Sequence, residues 1–89
     1  MIKVSSMTSN NSYREVPNQF IIETDNAIIF QSYNTIIAKK ESGKIYLDEN
    51  KWKYSITTSK YRNQFLGLTT KETEKMIKEG KIELVDLNK

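Results

Sequence analysis

The 89-residue chain contains no cysteine, no histidine, one proline and three glycines. Each scarcity removes a class of chemistry. Without cysteine there is no disulfide to support the fold and no thiolate nucleophile; the composition fits a reducing compartment. Without histidine the usual zinc ligands are reduced to carboxylates, and the usual general base near neutral pH is missing. Serine–histidine and cysteine–histidine nucleophiles cannot be assembled from these residues. Gly43, Gly67 and Gly80 stand far apart as punctuation, so no glycine-rich phosphate loop exists. Apolar runs are short, Phe20-Ile21-Ile22 and Ala27-Ile28-Ile29-Phe30 being typical, and none reaches the length that spans a bilayer. No cationic start followed by an apolar stretch marks a secretory leader, which places the protein, as an expectation, in a cytoplasm.

Hydrophobic residues make up 37% of the chain and charged residues 28%, values of a folded chain of one-domain size. The formal charge of +3 is unevenly spread: Lys39 to Arg62 holds seven cations against three anions, and the remainder is slightly acidic. A local field of that sign suits anionic partners, either nucleic acid or an acidic protein face; a solvated surface explains it equally well.

Residues 1–12, rich in Ser and Asn, read as a flexible tail in which Met7 is a second candidate start, and residues 13–89 read as one domain. Gln19–Glu23 and Ala27–Tyr33 read as a hairpin across Thr24-Asp25-Asn26. Thr35–Lys39 reads as the continuation of the second strand, bent or bulged near Ser32-Tyr33-Asn34, with a break into two strands as the alternative. Glu41-Ser42-Gly43 turns the chain into a strand over Lys44–Asp48. Trp52, Tyr54 and Ile56 alternate with Lys51, Lys53 and Ser55, which predicts apolar side chains on one strand face and ammonium groups on the other. Thr57-Thr58-Ser59 is placed to cap a helix that ends at Gly67, with Tyr61 and Phe65 on one face. Thr69 and Glu72 have capping-box spacing and open a second helix, its inner side carrying Thr73, Met76 and Ile77, closed by Gly80. Ile82–Leu87 is the last strand. The expected fold is α+β: a mainly antiparallel sheet of four to five strands, hairpins first, then two short helices and a C-terminal strand.

No catalytic or metal-ligating residues emerge. Asp48 and Glu49 are the only adjacent acidic pair, and they sit in a turn. Tyr61 beside Arg62 outlines a tyrosine nucleophile with an activating cation, but a buried tyrosine next to a surface arginine accounts for the same letters. The candidate contact residues are Lys51, Lys53, Lys60, Arg62, Asn63 and Gln64. The cations would meet phosphates or carboxylates, and the two amides would read adenine edges. A helix-turn-helix around Gly67-Leu68-Thr69 is a poor fit, because its second helix balances Glu72, Glu74 and Glu79 against Lys71, Lys75 and Lys78. Protein binding needs no motif that the chain lacks; aromatic residues with an arginine are common interface anchors.

Several segments carry a resemblance: Asn18-Gln19-Phe20-Ile21-Ile22-Glu23-Thr24, Phe30 to Ala38, Ile45-Tyr46-Leu47-Asp48, Trp52, Tyr54-Ser55, Thr57 to Arg62 and Phe65-Leu66. Across about Tyr13 to Asn88 the chain resembles a family of short proteins carried by bacterial phages and plasmids, without an assigned activity. Ala27 departs from the pattern, which has a small turn glycine nearby. The resemblance implies a mobile-element context, in which small non-enzymatic proteins act by occupying a host protein; inhibitors of bacterial defence, including anti-CRISPR proteins, are one such group. Many of those mimic DNA with an acidic surface, and this chain is basic. The expectation is therefore a non-enzymatic inhibitor, without cofactor, that clasps a host protein or nucleoprotein, the alternative being a DNA- or RNA-binding accessory protein using the Lys51–Arg62 surface.

Overall fold

A computed structural model describes residues 2–9 and 14–89. The elements run β1 (Lys3–Thr8), β2 (Glu15–Glu23), β3 (Ala27–Ser32), β4 (Thr35–Glu41), β5 (Lys44–Asp48), α1 (Ile56–Leu66), α2 (Thr70–Lys78) and β6 (Ile82–Val85). The six strands form one sheet in sequence order. All neighbours are antiparallel except β5 and β6, which the two helices connect in parallel. The fold is α+β with a mainly antiparallel sheet, one strand larger than the sequence reading.

One strand, β1, forms where a flexible tail was expected. Its Ser and Thr residues conceal one buried side chain, Met7, which joins the core. The rest of that expected tail, Met1 and residues 10–12, lies outside the described residues, as does Tyr13. Gln64 on α1 donates to the Thr8 carbonyl at 2.7 Å and ties the strand to the helical layer. Opposite β1, the register slips between Ser6 and Thr8, and β2 bulges at Pro17-Asn18, with Asn18 at φ 63°. A bulge is one of the few sheet positions that tolerate a proline.

Each turn has its own chemistry. The first has no positive-φ residue; Thr24 closes it instead, its Oγ1 accepting from the Ala27 and Asn26 amides at 2.9 and 3.2 Å. The departure at Ala27 therefore costs the turn nothing, because no left-handed position exists for a glycine to fill. The chain breaks into β3 and β4 at Tyr33-Asn34, the alternative reading, with Tyr33 in the left-handed region. The bulge falls further along: Phe30 pairs with Ala38 but Gln31 with Ile36, so Ile37 is the extra residue. That allows Ile37 and Ala38, adjacent in sequence, both to be fully buried, which strict alternation would forbid. Ser42 and Gly43 both have positive φ, as a two-residue type I′ hairpin requires.

Both helices lie on one face of the sheet. Phe65 of α1 stacks on Phe30 of β3 with ring centroids 5.8 Å apart, and Thr58 shares a hydrogen bond with Ser32 at 3.1 Å. Phe30, Ile37, Ala38, Leu47 and Ile82 are the buried centre, with Leu66, Leu68, Met76 and Ile77 packed against them. Lys40 of β4 reaches the C-terminus of α1, donating to the Phe65 carbonyl at 2.8 Å, a favourable place for a cation. Beyond β6 the chain laces back: the Leu87 amide donates to buried Asp48, and the Asn88 side chain pairs with both backbone groups of Ile36. No helix among the described residues is long and apolar enough to cross a membrane.

The capping box holds α2 in place. Thr69 accepts from the Glu72 amide at 3.1 Å, and Glu72 accepts from the Thr69 amide at 2.8 Å. Thr69→Ala is expected to lower the unfolding free energy by about 1 kcal/mol in urea titration, with an unchanged m-value.

Candidate functional site

The strand expected over Trp52 to Ile56 does not form. Ser55 takes extended backbone geometry, and its side chain accepts from the Thr58 amide at 3.0 Å, so the helix starts at Ile56, upstream of the expected cap. Residues 49–54 are turns. This abolishes the two-faced arrangement: Trp52 is half-buried and packs on the core, while Tyr54 and Ile56 face solvent. Ile56 is 91% exposed.

Arg62 is the larger correction. It was read as a surface cation and is completely buried. Its guanidinium donates to the Trp52 carbonyl, to Ser59 Oγ at 3.4 Å, and to Asn63 Oδ1 and Thr70 Oγ1 at 2.8 Å each; it also lies 5.0 Å from the Trp52 ring centroid. Its Nε has no hydrogen-bond partner among the described residues. Desolvation holds its pKa below the ordinary guanidinium value, partly offset by the charge of Glu74. A helix period explains the burial: Thr58, Arg62 and Phe65 fall on the sheet-facing side of α1.

The opposite side of α1 borders an open groove of about 970 Å³. Ile56, Ser59, Lys60 and Asn63 line it at helical spacing, together with Lys53 and Tyr54 from the preceding turn and Thr69, Thr70 and Glu72 from the first turn of α2. The fold thus gathers Lys53, Lys60, Asn63 and Gln64 of the candidate residues in one place. Lys51 lies elsewhere, in a shallow hollow with Asp48, Asn50 and Asn88.

The groove residues are not equally available. Asn63 holds Arg62 and also donates to Thr70 at 3.4 Å, and Gln64 is engaged by Thr8, so neither amide is presented for reading base edges. Lys53 is paired with Glu74 at 2.9 Å. Lys60 is exposed, lies 5.4 Å from the Tyr61 ring centroid, and has no carboxylate partner among the described residues. Tyr61 is buried, as read, but it stands beside a buried arginine rather than a surface one. Tyr54, Ile56 and Glu74 are the residues that sequence reasoning missed. The signal for the first two was Ser55, whose hydroxyl stands three residues before Thr58 and competes with the strand pattern. Among the described residues no three acidic side chains converge to hold a metal ion.

The Lys53 hydrogen bond, reinforced by its charge, lowers the Glu74 pKa. A depressed carboxylate stabilises the fold above its unfolded pKa and loses that contribution as pH falls through its folded value. Stability from this pair is therefore complete at neutral pH and lost in the acid range. An NMR titration of the Glu74 side-chain carboxyl is expected to show a midpoint below the ordinary glutamate value that moves upward in Lys53→Ala.

Arg62→Ala leaves Asn63, Thr70 and the Trp52 carbonyl without their shared donor. It is expected to destabilise the protein by about 3 kcal/mol in urea unfolding. Arg62→Lys keeps the charge but not the planar fork, and is expected to recover less than half of that loss.

The profile of a family of unknown function (DUF8033) matches residues 2–83, so the chain belongs to that family. No curated protein and no solved structure matches it.

Proposed function

We propose that this member of a family without assigned function is a non-enzymatic binding protein of a phage or mobile element that inhibits a host defence system in the bacterial cytoplasm by occupying a host protein or nucleoprotein. The groove beside α1 is its contact surface, and the partner segment is acidic with an apolar anchor. The observation that carries this reading is the combination at the groove: Ile56 almost wholly exposed, Tyr54 47% exposed, and Lys60, exposed and without a carboxylate partner among the described residues, one helical turn from Ile56. Exposed large apolar side chains beside a cation suit a protein partner, where an apolar side chain is covered and a carboxylate meets the ammonium.

A phosphate backbone suits this groove less well. Glu72 lines it, Glu74 occupies Lys53, and the amides are taken. The mobile-element setting and the anti-defence role rest on the resemblance of the segments between Tyr13 and Asn88. The non-enzymatic part rests on the absence of imidazole and thiol from the chain.

Ile56→Asp and Lys60→Glu change exposed groove positions and are expected to leave thermal unfolding within about 0.5 kcal/mol of wild type. Affinity capture from phage-infected host cells is expected to recover one component of a defence complex with wild type and to lose it with either variant. Equal recovery with the variants excludes the groove. An oligonucleotide that binds with a steep inverse salt dependence, read by the single tryptophan Trp52, selects the nucleic-acid alternative instead.

A further inference from the structure

The sheet has a second face, which neither helix touches. Residues directly opposite each other across a ladder share a face. The row Val4, Ile22, Ile29, Lys39, Tyr46 and Glu83 crosses all six strands in register. Phe30 and Ser32 contact α1, so the Ile29 row points the other way. The adjoining row on this outer face carries Phe20, Gln31 and Ile36.

A sheet with one solvated face alternates apolar and polar residues. Here Phe20-Ile21-Ile22, Ile28-Ile29-Phe30 and Ile36-Ile37-Ala38 are continuous apolar runs, the pattern of strands covered on both sides. The helices account for only one of those covers. Val4 is 61% exposed, and Phe20, Ile22, Ile29, Ile36 and Tyr46 are partly buried, each keeping some surface on this face, so that together they form one apolar field.

We infer that this outer face is the interface of a homodimer, in which two sheets pack face to face about a two-fold axis. Two features select a second copy as the occupant. The charges on the face are balanced, with Lys39 and Lys44 against Glu41 and Glu83, and Lys39 paired with Glu41 at 3.4 Å. An isologous contact meets its own charge pattern reversed, and a mixed pattern accepts that where a single-signed one repels itself. The dimensions also fit. Six strands about 4.8 Å apart and about five residues long give a projected footprint of about 500 Å². The accessible area of a surface studded with side chains exceeds its projection, which brings each copy near the roughly 800 Å² of a standard interface.

Sedimentation equilibrium tests this directly. Wild type is expected to run at twice the 10.4 kDa of one chain. The double variant Ile22→Thr/Ile29→Lys is expected to run as a monomer that still unfolds cooperatively. If that variant does not fold, the single change Val4→Lys at the exposed rim of the same row is expected to weaken dimerisation at least about tenfold. A wild-type protein that stays monomeric up to about 1 mM overturns the inference. So does a dimer that survives Val4→Lys and the folded double variant unweakened, since it would use another surface.

Discussion

Burying a guanidinium is costly unless its donors find acceptors, and the helical layer of this protein is arranged around meeting that demand. Arg62 sits under α1 with no exposed surface, and among the described residues no carboxylate bonds to it directly. Its acceptors come from three places: the Trp52 carbonyl in the turn before α1, Ser59 and Asn63 on α1 itself, and Thr70 at the start of α2. One side chain therefore fixes the path into the first helix and the seat of the second. Three of those acceptors, Ser59, Asn63 and Thr70, also line the groove. The groove wall is thus backed by the core, and its shape follows from how the charge is wrapped. The same bonding engages Asn63 and leaves Ile56, Tyr54 and Lys60 exposed along the groove.

Much of the architecture could be read from local chemistry. Thr69 with Glu72, Gly67 after Leu66 and Gly43 after Ser42 each mark a structural event that one or two residues decide. The apolar runs marked β2 to β5. Failures came where tertiary contacts override the local pattern. Met7 is one apolar side chain in a polar segment, and only its burial against the core makes Lys3–Thr8 a strand. Trp52-Lys53-Tyr54-Ser55-Ile56 alternates as a strand does, yet a single hydroxyl at Ser55 wins it for a turn and a helix start. The burial of Arg62 could not be read from its neighbours in sequence, because the acceptor that matters most for the relative placement of the helices, Thr70, belongs to the next helix. The groove was partly legible: Lys53, Lys60, Asn63 and Gln64 were picked as charged or amide residues and do lie together, whereas Lys51 does not.

Which apolar side chains of β4 face the helices follows from where its bulge falls. The Ile37 bulge turns two consecutive apolar residues into the core and shifts Ile36 to the outer face beside Gln31. Without it, strict alternation would have set Ile36 and Ala38 in the core and Ile37 on the outer face. The bulge therefore decides that Ile37 enters the core and Ile36 joins the helix-free surface. That surface is held in register by five ladders, and its Lys39 ammonium lies over the Tyr46 ring at 5.1 Å. The groove, by contrast, is concave and made by the helices and turns.

These two surfaces lie on opposite sides of the molecule, and their combination has a consequence for binding. Two copies packed through their outer sheet faces would leave both helical layers, and so both grooves, directed outward. A partner that presents the same segment twice, as a multisubunit complex does, could then be held at two points. The second contact would form at an effective concentration set by the dimer rather than by free protein, which raises avidity by orders of magnitude where the spacing matches. A groove that offers Lys60 and two exposed apolar side chains, Tyr54 and Ile56, is a modest anchor by itself. Doubled on a rigid sheet, it is suited to repetitive targets over single chains. A protein that acts by holding its target gains most from such an arrangement, because it must remain bound for as long as its effect is to last.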